Sequence, residues 1–299
     1  MSLEDVDVDP VTVMYVTQAI NGLAYGMLLF LVSSGLTLIF GMMGVLNLAH
    51  ASFFMLAGYF CYTSLGLVGN FWVALLVAPV AVGILGLFVE RFFLRKVAAS
   101  GLGHMGDLLL TLGISLVIAE TVKAFWGTAG LAIPIPPLLE GRVFISNLEY
   151  PIYRLVTIAL SLMILGIFAL ILFKTRLGKI VQAAVSDADM VNALGINTPL
   201  VFMLVFGIGT WMAGVAGVTA APILQVYPGL ANQIGLDAFV IVVVGGFGSL
   251  LGALVASLVL GELNSFGVQF IPRLAPVLMF AFMAVVLAFK PTGFFGERE

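Results

Sequence analysis

Residues 41–53 read GMMGVLNLAHASF, a stretch with two glycines, an asparagine and a histidine between long apolar runs. A polar side chain inside a lipid bilayer is costly unless it faces protein or water. Glycine allows close helix packing, which gives such a stretch a structural use as well. The stretch therefore indicates either a packing point between two membrane segments or the lining of a solute path.

The composition of the chain indicates a membrane protein. Hydrophobic residues make up 62% of the 299 residues and charged residues only 9%, and the mean hydropathy is +1.20. A soluble domain carries roughly a quarter charged residues, so this chain lacks the charges to cover a surface in water. Its apolar runs are continuous, which favours helices over the alternating strands of a barrel. We therefore expect an all-α integral membrane protein.

The apolar runs predict a polytopic helical bundle of about eight to nine transmembrane segments, because one crossing takes roughly 20 apolar residues. They lie near 12–36, 47–67, 70–89, 105–126, 154–173, 198–221, 236–247, 249–268 and 271–289. Segment 236–247 is short and runs into GGFGS, so 236–268 is compatible with two crossings, one crossing or a broken, re-entrant segment. The similarity of FGMMGVLNLA (40–49) to FGSLLGALVA (247–256) suggests two weakly similar halves.

Lysines and arginines predict the orientation, because cytoplasmic loops carry an excess of them. The clusters ERFFLRK (90–96) and KTRLGK (174–179) would be cytoplasmic, which leaves 127–153 outside. Eight of the twelve cations then lie inside, and the other four lie at or near the outside: Lys123, Arg142, Arg154 and Arg273. We expect an acidic extracytoplasmic tail over 1–11, a single transmembrane domain over 12–296, and an intracellular C-terminus.

The cytoplasmic loop 174–197 predicts a short helix outside the bilayer over 180–196. Apolar residues recur along it with polar residues between them, and Asp187 and Asp189 suit a helix start. One interpretation is an amphipathic helix that rests on the lipid headgroups. The other is a docking surface for a cytoplasmic partner.

The opening stretch supplies the candidate residues for a solute path. Asn47 and His50 would share one face if the stretch is helical. The candidate path residues are Gly44, Asn47, His50 and Ser52. Five further glycines are interpreted as close-packing or helix-breaking positions: Gly41, Gly245, Gly246, Gly248 and Gly252.

Several function classes find no support in the sequence. The second histidine, His104, has no cysteine or carboxylate cluster around it, so we expect no metal site. The nucleotide-binding pattern GxxxxGK[ST] is absent, and no nucleophile and base stand together, so an enzyme is not expected. The formal charge of −3 does not suggest a nucleic-acid partner, and the single Cys61 allows no internal disulfide.

Four stretches carry a resemblance to a known family. GLTLIFGMMGVLNLAHASFFMLAGYF (35–60) resembles the signature of the LivH-type permeases of branched-chain amino acid ABC importers. AAVSDADMVNALGIN (183–197) resembles the cytoplasmic loop of that family. AFVIVVVGGFGSLLGALVASLVLG (238–261) and LAFKPTGFFG (287–296) resemble its C-terminal half. The resemblance covers about residues 12–296, with Ala51 standing where the family often has glycine.

The resemblance implies a multi-pass permease subunit in the cytoplasmic (inner) membrane. It would pair with a related permease similar to LivM, two cytoplasmic ATPases would drive it, and an extracytoplasmic binding protein would deliver the solute. The chain itself would bind no cofactor, because ATP would be used by the partner subunits. The loop 180–196 would be the ATPase-coupling helix, with these candidate residues: Ala184, Asp187, Asp189, Ala193, Leu194 and Gly195.

Alternatives to this function remain open at the level of sequence. The same type of permease could carry urea or short amides. A passive channel for a small neutral solute would need no ATPase, and a scaffold subunit would only bind partners. An ion-coupled carrier would require paired ionisable groups in the membrane, and none stands out in the sequence.

Overall fold

The computed structural model describes residues 9–145 and 148–296, and this part of the chain is mostly helical. Its helices are α1 (Pro10–Met43), α2 (His50–Val68), α3 (Phe71–Val89), α4 (Arg95–Ala99), α5 (Gly103–Trp126), α6 (Ile152–Lys174), α7 (Arg176–Ser186), α8 (Ala188–Ala193), α9 (Thr198–Ala220), α10 (Leu230–Gly245), α11 (Leu250–Phe270) and α12 (Ala275–Phe289). A π-helical turn over Glu90–Leu94 joins α3 to α4. The antiparallel strands β1 (Arg142–Ile145) and β2 (Leu148–Pro151) form one hairpin.

The all-α membrane architecture is confirmed. Within the described residues, seven helices are long and apolar enough to cross a bilayer: α1, α2, the continuous Phe71–Ala99, α5, α6, α9 and α11. The apolar helices α10 and α12 are shorter, with 16 and 15 residues. The uncertain segment 236–268 is thus a short helix followed by one of full length. Most of the predicted tail, residues 1–8, lies outside the described part of the chain.

The two ends of the bundle differ in their connections. We call the end that carries the β1–β2 hairpin the hairpin end, and the opposite end, where α7 and α8 lie, the loop-helix end. Loop 174–197 does not form the single helix expected over 180–196. Asp187 has an extended backbone and divides the loop into α7 and α8. The Asp187 side chain accepts a hydrogen bond from Met190 N at 2.8 Å and so starts α8.

α1 lies at the centre of the bundle and packs against α6, α9, α10 and α11. Its 34 residues make it about 51 Å long at 1.5 Å per residue, well beyond the thickness of a bilayer core. It continues to Met43, seven residues past the predicted boundary, and ends at Gly44, whose φ of 64° suits glycine. The centre of the bundle is therefore built on a helix with no prolines after its first turn.

Two non-helical segments interrupt the membrane helices. The first break is residues 44–49, between α1 and α2, and the second break is residues 246–249, between α10 and α11. The expected helix over 47–67 starts only at His50, so Asn47 and His50 do not share a helical face as predicted. The end of α1, just before the first break, contacts the second break, because the rings of Phe40 and Phe247 are 4.4 Å apart and Gly41 lies against Gly248. Matching residues of the similar stretches 40–49 and 247–256 thus contact each other.

Candidate functional site

The first break lies deep in the bundle rather than at its end. Leu48 N donates to Thr111 Oγ1 at 3.2 Å, which places the break beside α5. The hydroxyls of Ser52 and Ser115 are 2.8 Å apart, and Ser115 is near the middle of α5. α2 therefore begins about halfway along its neighbour, and residues 44–49 run beside the first half of α5. Non-helical backbone at this depth is tolerated where protein or a wet cavity surrounds it.

A cavity of about 530 Å³ opens at this break, and we call it the central cavity. Five of its lining residues are polar or leave backbone exposed: Asn47, His50, Ser115, Asn232 and Gly235. The other lining residues are apolar: Leu36, Leu46, Leu48, Ala51, Leu112, Ala231, Leu236, Ala238 and Phe239. A mostly apolar cavity with a few converging polar groups is the usual form of a small-molecule site.

His50 is buried, with 2% of its surface exposed, and one of its ring nitrogens has no partner. Its Nε2 lies 3.0 Å from Val32 O. A carbonyl oxygen can only accept, so Nε2 carries the hydrogen, and Nδ1 of the neutral ring is an acceptor. A Cβ on Gly35 would lie 3.0 Å from the ring, so glycine is what admits the imidazole against α1.

Asn47 supplies an unpaired donor at the same cavity. Its Oδ1 accepts from Ala49 N at 3.1 Å, which fixes the orientation of the amide. The Nδ2 of Asn47 then has no hydrogen-bond partner, although only 3% of the residue is exposed. A buried polar group without a partner costs about 1–3 kcal/mol, so two such groups at one cavity suggest that a ligand completes them.

Helix termini add to the electrostatics of the central cavity. α2 starts at His50 and α10 starts at Leu230, and no side chain caps either start. The first turns of both helices line the cavity, through His50 and Ala51 and through Ala231 and Asn232. The N-terminus of a helix carries a partial positive charge, so this wall favours a carboxylate.

The structure brings two of the four predicted path residues together at the central cavity. Asn47 and His50 line it, whereas Ser52 bonds to Ser115 beside it and Gly44 ends α1 outside it. Sequence reasoning missed Ser115, Asn232 and Gly235. The only local sign of these residues in the sequence is that they are small or polar and lie in α5 and α10. Their contact with the first break joins segments far apart in the sequence, which a local pattern does not predict.

The five predicted packing glycines lie around the second break. Gly41 faces Gly248, and Gly245 faces Gly252, each pair at close backbone approach. Gly246 and Gly248 have φ values of 96° and 79°, which side-chain-bearing residues rarely adopt. Phe294 N donates to Val244 O at 2.7 Å and Phe295 N to Gly245 O at 3.0 Å, so the last carbonyls of α10 are paired.

The predicted loop residues lie on α7 and α8 or directly beside them, at the loop-helix end. Ala184 is buried against the bundle with 2% exposed, while Leu194 is 73% exposed. Asp187, Asp189, Ala193 and Gly195 are exposed as well. One side of the loop therefore contacts the bundle and the other is open.

Within residues 9–145 and 148–296, no group of three or more His, Cys, Asp or Glu side chains is placed to hold a metal ion.

Comparison with known proteins identifies the family. The family described as "Branched-chain amino acid transport system / permease component" matches residues 18–287. The chain is 30% identical to the high-affinity branched-chain amino acid transport system permease protein BraD of Pseudomonas aeruginosa, over 95% of this chain and 97% of BraD. It is 30% identical to LivH of Escherichia coli (strain K12), named in the same way, over 95% of this chain and 96% of LivH.

A more distant relative is the probable branched-chain amino acid transport permease protein LivH of Methanocaldococcus jannaschii, with 23% identity over 81% of this chain and 77% of that protein. No solved structure matches the chain. The family match over residues 18–287 includes both breaks and the loop of α7 and α8. The chain belongs to the family of branched-chain amino acid transport system permease components.

Proposed function

We propose that the chain is the transmembrane permease subunit of an ATP-driven, binding-protein-dependent importer of branched-chain amino acids. Family membership and the names of the relatives support the reaction class. The observation that carries the solute class is the pair of unpaired groups at the central cavity, Asn47 Nδ2 and His50 Nδ1, beside an apolar wall.

An amino-acid zwitterion complements these groups. Its carboxylate accepts from Asn47 Nδ2 and lies at the positive N-terminus of α2, and its ammonium donates to His50 Nδ1. Its aliphatic side chain packs on Leu36, Leu112 and Phe239. Urea offers donors and acceptors too, but its small size would leave the apolar wall uncovered. The cavity therefore favours a branched-chain amino acid over urea.

The hairpin end would be extracytoplasmic and the loop-helix end cytoplasmic, with the N-terminus outside and the C-terminus inside the cytoplasmic membrane. Lys174, Arg176 and Lys179 lie at the loop-helix end, at the close of α6 and in α7. The cluster Arg91, Arg95 and Lys96 lies where the Phe71–Ala99 helix ends. This distribution follows the excess of cations in cytoplasmic segments.

Coupling to ATP would run through α7 and α8. The exposed side of α8 and its C-terminus, with Asp189, Ala193 and Leu194, would dock a cytoplasmic ATPase. Asn197 caps α9 through Leu200 N at 3.1 Å, so α8 leads directly into α9. Gly209 of α9 packs against Gly35, which also contacts the His50 ring. A movement of α8 would thus reach the central cavity through α9, and alternating access would follow.

The remaining partners follow from this assignment. A second, related permease would form the other half of the membrane unit, two ATPase subunits would hydrolyse ATP, and an extracytoplasmic binding protein would deliver the solute. This chain would hold no nucleotide, because its sequence lacks the GxxxxGK[ST] pattern.

The test is solute uptake by the assembled transporter in proteoliposomes, with binding protein loaded with leucine, valine or urea. We expect ATP-dependent uptake of leucine and valine and no uptake of urea. Uptake of urea alone would support an ATP-driven importer but with urea, not an amino acid, as its solute. Flux of a small neutral solute without ATP and without binding protein would contradict the importer and support a passive channel.

A further inference from the structure

A second polar cavity, of about 510 Å³, lies at the hairpin end, and we call it the hairpin-end cavity. It forms where α1, α6, α10, α11 and the start of α12 meet. Its polar lining consists of Gln18, Asn21, Tyr25, Arg154, Gln233, Asn264 and Ser265. Leu28, Ile223, Leu224 and Val268 supply apolar wall.

The hairpin-end cavity and the central cavity lie on two sides of α10. Asn232 lines the central cavity, and the next residue, Gln233, lines the hairpin-end cavity. The first turns of α10 therefore separate the two spaces. A solute that enters from the hairpin end would meet the hairpin-end cavity before it passes α10.

Arg154 brings a positive charge without a carboxylate partner into the hairpin-end cavity. Among the described residues, the ion pairs are Arg95–Glu90, Lys123–Glu120 and Arg142–Glu149. Arg154 instead donates to Asn21 Oδ1, and Tyr150 Oη donates to the same oxygen at 3.0 Å. A guanidinium has five N–H donors in a fixed fork, so most of them stay available for a carboxylate.

Asp237 provides the opposite charge, and sequence reasoning passed over it. It lies four residues after Gln233, on the same face of α10. Tyr25 Oη donates to Asp237 Oδ2 at 2.7 Å, and Tyr25 lines the hairpin-end cavity. No cation pairs with Asp237 within the described residues. An acid inside a membrane helix usually marks a functional position.

We propose that the hairpin-end cavity is an access subsite for the amino-acid zwitterion, occupied before the central cavity. Arg154 binds the α-carboxylate, and the Tyr25–Asp237 pair receives the α-ammonium at the Tyr25 oxygen, with Asp237 supplying the negative charge. The aliphatic side chain packs on Ile223, Leu224 and Val268. The subsite rests on the proposed function, since its ligand is the solute of that importer.

The headgroup of a lipid with a net negative charge is a second source of an anion for Arg154. The amino acid is favoured because the cavity lies between five helices. The Asp237 carboxylate, bonded to the lining residue Tyr25, would also repel a headgroup of net negative charge. The two sources are separated by the lipid in which the transporter is reconstituted.

The experiment compares Arg154→Gln with Arg142→Gln in the assembled transporter, reconstituted in neutral phosphatidylcholine. Arg142 is the matched control, because it is an exposed hairpin arginine outside the cavity. Leucine uptake and ATP hydrolysis are measured together, at increasing concentrations of leucine-loaded binding protein. We expect Arg154→Gln to transport about tenfold less leucine per ATP, as loss of a charged hydrogen bond implies, with stimulation of the ATPase retained.

Arg142→Gln should keep the wild-type ratio, and Arg154→Lys should lose less than Arg154→Gln because the charge is kept. Asp237→Asn is the second variant, and it should lower the same ratio even if Arg154→Gln does not assemble. A wild-type ratio in both variants would overturn the subsite. So would an equal fall of ATPase and uptake, a shift only in the half-maximal concentration of binding protein, or a defect that appears only when anionic lipid is present. Failure of the wild-type transporter to import leucine would instead overturn the proposed function, and with it the subsite.

Discussion

The two breaks in the membrane helices lie within weakly similar stretches of sequence and differ in their chemistry. At the second break, glycines pack against glycines, and the C-terminal segment pairs the last carbonyls of α10 through Phe294 and Phe295. At the first break, Asn47 Nδ2 and His50 Nδ1 are buried without partners beside a cavity. The polar groups of the second break are paired within the chain, whereas the first break leaves two groups that a ligand can pair.

The difference shows how a functional site can be separated from a packing device in a membrane protein. Both breaks cost helical hydrogen bonds, and both must recover them inside the bundle. At the second break, other hydrogen bonds within the chain replace the lost ones. We therefore expect a change there to lower stability. At the first break, two polar groups stay without partners in the chain. We therefore expect a change there to impair transport without a matching loss of stability.

The largest effect is expected at the second break, from Gly252→Leu. A Cβ at this position would collide with the backbone of Gly245, which cannot move as a flexible side chain could. Overpacking of this kind costs about 1–3 kcal/mol or more, so we expect little folded transporter by fluorescence-detected gel filtration. Gly113→Leu is the control, because no atom lies within 4 Å of a Cβ there. Normal yield and uptake of Gly252→Leu would contradict a structural second break.

At the first break, Asn47→Asp should remove transport and spare the fold. The aspartate keeps the oxygen that accepts from Ala49 N but replaces the unpaired donor with a charge that repels a carboxylate. We expect leucine uptake to fall more than about tenfold, with folded yield close to wild type. Asn70→Asp is the control, since Asn70 Oδ1 also accepts from the backbone N–H two residues on, Trp72 N at 2.9 Å, and Asn70 lies away from the central cavity. Equal uptake by both variants would remove Asn47 from the solute path.

A smaller effect is expected from Ser52→Ala, which tests whether the hydrogen bond to Ser115 fixes the start of α2 against α5. The change removes the 2.8 Å bond to Ser115, and such bonds in membranes contribute about 0.6–2 kcal/mol. We expect a lower melting temperature and an uptake reduced about two- to threefold, since Ser115 also lines the central cavity. Ser115→Ala should not add to Ser52→Ala, because both remove one bond. Additive losses would mean that the two serines act separately.

The smallest effect is expected from Lys290→Met beside the second break. Lys290 Nζ donates to Phe294 O at 2.5 Å and holds the turn that pairs with α10. Lys290 is exposed, so the loss should be within about 1 kcal/mol, with uptake within twofold of wild type. Melting temperature and uptake are measured in parallel. A transport defect as large as that of Asn47→Asp would show that the second break also serves the solute path.

The fold class could be predicted from the sequence because the apolar runs and the scarcity of charge leave little choice in a bilayer. The helix boundaries near the breaks could not be predicted, because nothing in the apolar run shows that Asn47 lies before the helix and His50 within it. In the loop, the expected helix start at Asp187 is confirmed by α8, but the single helix expected over 180–196 is divided there into α7 and α8.

The candidate site was predicted in part. Asn47 and His50 were visible as polar residues in an oily stretch, but their partners on α5 and α10 depend on a meeting of distant segments. Asp237 was missed within the apolar 236–247, and Arg154 counted only as a loop cation. Arg154 and Tyr25, the partner of Asp237, line one cavity only because of how α1, α6 and α10 pack, which a local pattern does not encode.

The most direct test is an experimental structure of the assembled transporter, trapped with leucine between release from the binding protein and release into the cell. The account predicts leucine in the central cavity, with its carboxylate in hydrogen-bond distance of Asn47 Nδ2 and its ammonium at His50 Nδ1. Leucine bound elsewhere, with Asn47 and His50 satisfied by the second permease or by lipid, would contradict it.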